Sequence, residues 1–194
     1  MVEGDNLYHL QKKVALGDEK AFRQLFNHFA SHLTRFAFSI TQDKEAALEM
    51  MDEVFVKVWK NRSKLPDITN LKTYLYTSIK NASLNYLSQK ARVHHNEFFD
   101  LDNLPFADHQ SPEQMLIAKE IFKKISNAVD SLPPKCRIIF RLVREDGLKY
   151  REVAEILNIS VKTVDAQLVI AVKKISEKVK FHLDVVPGKK VRSA

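Results

Sequence analysis

The chain has 194 residues, 45% of them hydrophobic, so it can bury the cores of one or two domains. Its net charge of +7 favours a polyanionic partner. The single cysteine, Cys136, excludes an internal disulfide, and the lack of an apolar run of signal-peptide or transmembrane length predicts a cytoplasmic protein.

Helical periodicity runs through the first 60 residues. Apolar side chains recur every three or four positions over residues 7–14, 22–40 and 47–58, which predicts three amphipathic helices. Asp18 and Asp43 precede the second and third helices and can cap them. Because no segment alternates like a strand and only four glycines occur, we expect an all-α fold.

Two histidines on the second helix have the spacing of a metal-binding pair. His28 and His32 stand four residues apart, but Phe29 occupies the place where a zinc motif has its glutamate. No further ligands lie nearby in the sequence. We therefore predict two surface histidines, no metal site and no cofactor.

The third helix carries a candidate protein-contact surface. Its polar face has five charged side chains: Glu49, Asp52, Glu53, Lys57 and Lys60. Trp59 lies beside them, and an aromatic ring among mixed charges is typical of a contact surface. An equally good interpretation is that Trp59 simply closes the core.

Residues 61–69 are predicted to form a loop, because Pro66 interrupts the helix there. A fourth helix is then predicted from Asn70 to about Gln89. Its non-core faces carry basic, aromatic and amide side chains: Lys72, Thr73, Tyr74, Tyr76, Lys80, Asn81 and Asn85. Such a mixture suits unpaired nucleic acid, because bases stack on rings while lysines neutralise phosphates. The alternative is an ordinary solvated face.

Charge divides the chain into two basic parts and an acidic connector. Residues 93–113 contain five acidic residues and no Lys or Arg, whereas residues 54–92 contain eight basic residues and one acid. We therefore predict two small helical domains, residues 1–92 and 113–182, joined by a flexible acidic linker, residues 93–112. Residues 183–194 would form a C-terminal tail.

Residues 132–180 have the pattern of a helix-turn-helix. Gly147 and Asn158 can adopt the left-handed conformation that ends a helix, and Ser160 can cap the next one. The N-terminal residues of the second helix of this motif enter the DNA major groove. Its outward residues here are Lys162, Thr163, Asp165, Ala166 and Gln167. A helical hairpin that does not bind DNA is the alternative.

Four segments resemble, in order and spacing, the sigma-70 family of RNA polymerase sigma factors, extracytoplasmic function (ECF) group. They are DEVFVKVW (52–59), LKTYLYTSIKNASLNYL (71–87), LPPKCRIIFRL (132–142) and GLKYREVAEILNISVKTV (147–164). The resemblance implies a region 2 domain followed by a region 4 domain. It also implies a promoter-recognition subunit of bacterial RNA polymerase that is not an enzyme.

The resemblance assigns three sets of residues. Those implied to bind core RNA polymerase are Asp52, Glu53, Phe55, Val58 and Trp59. Those implied to open and hold the −10 element are Arg62, Lys64, Asn70, Lys72, Thr73, Tyr74, Tyr76, Lys80 and Asn81. Those implied to read the −35 element as duplex are Tyr150, Arg151, Ser160, Lys162, Thr163, Asp165, Ala166 and Gln167. Asp165 and Gln167 depart from the basic residues that many members carry there.

The implied partners are core RNA polymerase, promoter DNA and a membrane-bound anti-sigma factor, with no small-molecule substrate. The acidic linker would thread through the RNA channel of the polymerase. One alternative is a stand-alone helix-turn-helix regulator with a helical effector or dimerisation domain. Another is a pure interaction protein that does not bind DNA.

Overall fold

The computed structural model describes residues 2–93 and 125–184, with side chains for residues 6–91 and 125–178. Most of the predicted linker, the first residues of the predicted second domain and most of the predicted C-terminal tail lie outside the described residues. The described elements are α1 (Val2–Ala15), α2 (Glu19–Thr41), α3 (Lys44–Lys60), a 3-10 helix (Arg62–Asp67), α4 (Leu71–Val93), helical residues 125–130, α5 (Pro134–Arg144), α6 (Tyr150–Leu157) and α7 (Val161–Asp184). No strand occurs in these ranges, and the all-α prediction is confirmed.

Carboxylate caps begin two of the first helices, as the sequence predicts. Asp18 Oδ1 accepts hydrogen bonds from the backbone N–H groups of Lys20 and Ala21 at 2.9 and 3.0 Å. Asp43 Oδ1 does the same for two N–H groups of α3, both at 3.1 Å. Each carboxylate satisfies N–H groups that have no partner within the helix. Gly17, with φ of 87°, ends α1 in the left-handed conformation that glycine adopts without strain.

The first bundle consists of α1 to α4. Helix α2 packs against both α3 and α4, and its Leu25 and Leu33 are fully buried together with Leu75 and Ile79 of α4. The predicted loop between α3 and α4 is partly a 3-10 helix. Buried Leu65 anchors this segment on the core, so its backbone folds into a tight turn.

The second bundle consists of residues 125–130 and α5 to α7. The corner between α6 and α7 matches the predicted helix-turn-helix: Asn158 has φ of 54°, and Ser160 Oγ accepts from the backbone N–H of Thr163 at 3.0 Å. Arg141 Nη2 lies 2.5 Å from Asp130 Oδ1, and Arg137 Nη1 donates to the Asp130 carbonyl oxygen. These bonds tie residues 125–130 to α5.

The two bundles share one continuous apolar core. Helix α6 packs against α4, and the buried cluster extends from α2 and α4 through Leu148 to Val153 and Ile156. Within the described ranges, no helix has the length and apolar composition needed to cross a membrane. The acidic connector in the sequence therefore joins two bundles that are packed against each other.

Candidate nucleic-acid interface

Helix α7 presents its N-terminal turns to solvent. Val164 and Leu168 are buried, while Lys162, Asp165 and Ala166 are exposed. Burial follows the helical period, because residues four apart lie on the same face. The orientation of this face agrees with the sequence prediction, and its contact with DNA stays a prediction.

The remaining predicted −35 residues surround this face. Arg151 is exposed, and Thr163, Gln167 and Tyr150 are partly buried. Ser160 is occupied by capping, because its hydroxyl accepts from Thr163 N–H and lies 2.8 Å from the Thr163 hydroxyl. The buried Cys136 thiol donates to the Gln167 carbonyl at 3.2 Å, and burial raises its pKa above the usual value for a thiol. These contacts fix the backbone of the helix that carries the outward side chains.

The predicted −10 residues divide into exposed and buried groups. Lys64, Tyr74 and Asn81 are exposed, whereas Thr73 and Tyr76 are buried. Their burial is a finding about the free chain, and their contact with nucleic acid stays a prediction. Helix α4 contacts α2 and α3 as well as α6, so it buries more than one stripe.

Tyr76 belongs to the core in its chemistry as well as its position. Its ring lies 5.2 Å from the ring of Phe36, centroid to centroid. Burial, followed by the negative charge of nearby Asp146, raises the pKa of Tyr76 far above that of an exposed tyrosine. The side chain therefore stays a neutral phenol.

Arg62 is held against the end of α3. Its guanidinium lies 4.7 Å from the centroid of the Trp59 ring and donates to the Trp59 carbonyl oxygen at 3.1 Å. Trp59 also packs against Phe22 at 4.8 Å. Trp59 thus packs on the core and carries the Arg62 cation. Its part in a protein-contact surface stays a prediction.

The predicted polar face of α3 is exposed at all five of its charged residues, Glu49, Asp52, Glu53, Lys57 and Lys60. Phe55 and Val58 are only 2% exposed, and the Phe55 ring contacts that of Phe26 at 4.9 Å. Both side chains pack into the first bundle, and their implied contact with core polymerase stays a prediction. Asp52 and Glu53 are exposed as expected, and Glu53 pairs with an adjacent lysine.

Two apolar side chains on α3 were missed. Leu48 is 43% exposed and Val56 is 51% exposed, and together with Asp52 they follow a four-residue spacing along one face. We call Leu48, Asp52 and Val56 the α3 face. The same spacing is present in the sequence, but the predicted surface was based on the charged residues of this helix.

A polar contact between the bundles, which we call the junction, consists of His32, Arg35, Lys72 and Asp146. The Asp146 side chain is 3% exposed, lies 2.6 Å from His32 Nδ1 and accepts from Arg35 Nη2 at 2.8 Å. Its backbone oxygen accepts from Lys72 Nζ. A buried carboxylate of this kind requires such partners. Beside the junction, Asn70 donates to Glu152 at 2.6 Å.

The contacts at and beside the junction show which partners the two histidines and two of the −10 candidates have. His32 contacts Asp146, while His28 packs against the Phe29 ring at 4.7 Å, so the two imidazoles have different partners. In the ranges that the structure describes, no group of three or more potential ligands could hold a metal ion. Asn70 bonds Glu152 and Lys72 bonds the Asp146 carbonyl oxygen, so both of these −10 candidates contact the second bundle.

Sequence reasoning gave no indication of the junction. Its partners are separated by 74 to 114 positions, and a lone Asp after a helix is unremarkable in composition. Only the packing of α6 on α4 brings them together.

Comparison with known proteins identifies the two bundles. Residues 25–93 match the family profile described as Sigma-70 region 2, and residues 122–175 match Sigma-70, region 4. The ECF RNA polymerase sigma-E factor of Haemophilus influenzae is 25% identical over 181 residues, which are 88% of this chain and 93% of that protein. The RNA polymerase sigma-H factor of Pseudomonas aeruginosa is 24% identical, with coverage of 82% and 86%.

Solved structures support the fold. The CnrH chain in complex with the cytosolic domain of CnrY has a TM-score of 0.55 at 18% identity, with coverage of 92% of this chain and 99% of that one. The sigma factor RpoE from Bartonella quintana, in complex with the anti-sigma factor NepR, has a TM-score of 0.60 at 19% identity, with coverage of 83% and 98%. Together, the two region matches span more than half of the sequence, and the chain belongs to the sigma-70 family of RNA polymerase sigma factors, in its ECF group.

Proposed function

We propose that this protein binds core RNA polymerase and directs it to specific promoters. The observation that carries the proposal is the presence, in one chain, of two surfaces suited to nucleic acid. One is the outward face of a helix-turn-helix, and the other is a face of α4 with exposed Tyr74 and partly exposed Lys80. A polymerase subunit needs both, because a helix reads paired bases in the major groove while unpaired bases need stacking surfaces. The chain performs no chemistry of its own in this role.

The −35 element would be read by α7. Lys162 and Asp165 are exposed and Gln167 is partly buried on this helix. Lys162 would neutralise a phosphate, and Asp165 and Gln167 would contact base edges. An aspartate repels phosphate but accepts a hydrogen bond from cytosine N4, so its base preference differs from that of a basic residue. Ser160 would act by holding the helix terminus rather than by touching a base.

The −10 element would be held by the segment between α3 and α4 and by the exposed side of α4. Tyr74 would offer a ring for stacking, and Lys64, Lys80 and Asn81 would add charge and hydrogen-bonding groups. Asn70 and Lys72 would join this surface only after the bundles separate, since Glu152 and Asp146 hold them. Engagement with polymerase would supply that separation.

Core polymerase would bind at the α3 face. Leu48 and Val56 contribute exposed apolar area on either side of Asp52. Asp52, Glu53 and Trp59 remain from the implied set, with Trp59 contributing its outer edge.

Other partners follow from the same reading. CnrH and RpoE are each in complex with another protein, the cytosolic domain of CnrY and the anti-sigma factor NepR. We infer that this chain is likewise held by an anti-sigma factor, a membrane-bound one, and that it acts in the cytoplasm.

Reconstitution with core RNA polymerase tests the function. The complex should bind and open promoter DNA, while the free chain should bind the same DNA weakly. Tight, specific binding of duplex DNA by the free chain would instead identify a stand-alone regulator. Failure to associate with core polymerase would refute the proposal.

A further inference from the structure

Gln11 makes an unusual long-range contact from α1. Its side chain is 4% exposed, and Nε2 donates to the carbonyl oxygens of Leu65 and Ile68 at 3.0 and 3.1 Å. These acceptors lie 54 and 57 residues away, in the segment between α3 and α4. Both hydrogens of one amide group therefore hold one stretch of backbone.

Burying an amide group is unfavourable unless it is hydrogen-bonded. The two bonds to Leu65 and Ile68 therefore allow Gln11 to be buried at this position. The two carbonyls lie at the end of the 3-10 helix, where the backbone leaves its regular pattern. An apolar side chain at position 11 would fill the space, but the two carbonyl oxygens would lose the hydrogen bonds that the amide donates. The function of Gln11 is thus to bond this segment and not merely to fill the core.

Residues 62–70, which we call the 62–70 segment, are fixed at further points. Arg62 lies on Trp59, Leu65 is buried, and Asn70 Oδ1 accepts from the Thr73 N–H at 3.0 Å. Helix α1 packs on this segment, and Gln11 adds two side-chain hydrogen bonds to its middle. The bonded carbonyls lie between exposed Lys64 and Asn70.

We propose that Gln11 is a positioning residue for capture of the opened −10 strand: α1 fixes the 62–70 segment in the geometry that receives unpaired bases. The inference rests on the proposed function. It extends the −10 surface to a helix that lies outside residues 25–93, the part matching region 2. Preorganisation favours binding because the segment does not have to be ordered when DNA arrives.

The test compares Gln11→Met with the wild-type chain in complex with core polymerase. Met keeps the length and volume but removes both donors. Losing two buried hydrogen bonds should slow promoter opening about tenfold, while affinities for core polymerase and for −35 duplex stay within about twofold. Trp59, the single tryptophan, adjoins the segment, so its emission in the free chain should shift to the red.

Matched variants keep the outcome interpretable. Gln24→Met changes an exposed glutamine of α2 and should open promoters at the wild-type rate. If Gln11→Met loses its helical circular dichroism, Gln11→Asn, which keeps the amide but is one methylene shorter, is judged by the same criteria.

Two results would overturn the inference. One is a folded Gln11 variant that opens promoters normally. The other is an equal loss of polymerase binding, −35 binding and opening, which would indicate that Gln11 only stabilises the bundle. Tyr74→Ala, measured in parallel, separates this failure from that of the proposed function: if it also opens promoters normally, the −10 surface itself is wrong.

Discussion

The two candidate DNA-binding surfaces differ in how complete they are in the free chain. The outward face of α7 needs nothing beyond its own bundle, because Ser160 caps it and Val164 and Leu168 anchor it. The N-terminal end of α4 is partly covered, since Asn70 and Lys72 bond the second bundle. The duplex-reading surface is therefore formed locally, and the single-strand surface depends on the arrangement of the bundles.

The largest effect should come from removing the anchor of α7. Leu168→Ala leaves a cavity in the core of the second bundle and should lower the free energy of unfolding by about 2–5 kcal/mol, measured by urea denaturation. Binding of −35 duplex should fall with it. The neighbouring Val169→Ala changes an exposed side chain and should cost no more than about 0.5 kcal/mol. Similar losses in both variants would contradict the burial pattern.

A second pair of variants should separate the two surfaces in function. Tyr74→Ala with Lys80→Ala should slow promoter opening at least about fivefold, because stacking on a ring contributes about 1–3 kcal/mol per base. Potassium permanganate footprinting measures this opening, and −35 binding should not change. Lys162→Ala should instead weaken −35 binding and leave opening unchanged. The salt dependence of duplex binding should fall by about one phosphate contact.

Gln167→Ala completes that comparison, because it should alter base preference at one position of the −35 element. If Tyr74→Ala with Lys80→Ala opens promoters normally, those residues are only a solvated face. If Lys162→Ala and Gln167→Ala both leave duplex binding unchanged, α7 is not the reading helix.

The third prediction concerns the contacts by which the second bundle covers the N-terminal end of α4. Asp146→Asn removes the charge that pairs with His32 and Arg35. Because those partners are partly exposed, the gain should be modest, a few fold tighter binding of a single-stranded −10 oligonucleotide by the free chain, or about 1 kcal/mol. Fluorescence anisotropy measures it, with exposed Glu155→Gln as the control. Unchanged affinity in Asp146→Asn would mean that the junction does not compete with DNA.

The smallest expected effect is on stability at acid pH. A carboxylate caps α3 in the first bundle, whereas a hydroxyl caps α7 in the second. The Ala46 N–H, then the Tyr86 hydroxyl, and more weakly Lys90, hold the pKa of Asp43 below its usual value of 3.8. A carboxyl with a lowered folded-state pKa contributes stability that is fully present above 3.8 and is lost as pH falls through the folded value.

Asp43→Asn should therefore flatten the acid limb of the stability curve, as followed by circular dichroism below about pH 4. Ser160→Asn, which changes the cap of α7, should leave that limb unchanged, because a hydroxyl does not titrate there. An acid limb that is the same in Asp43→Asn and in the wild-type chain would contradict the role of the Asp43 cap.

Local features of the sequence determined the helices, their caps and the corner at Asn158. Those features act within one or two turns, where spacing and side-chain chemistry are sufficient. The four family-like segments likewise indicated region 2 and region 4, and the matches over residues 25–93 and 122–175 confirm them.

Tertiary structure decided which faces are available. Thr73 and Tyr76 are buried because α4 packs against more than one neighbour, so a single helical period could not assign their faces. The bonds of Gln11 and Asp146 join residues 54 to 114 positions apart. Such contacts leave no periodic signal in the chain, because they arise only when separate helices are brought together by the burial of their apolar faces.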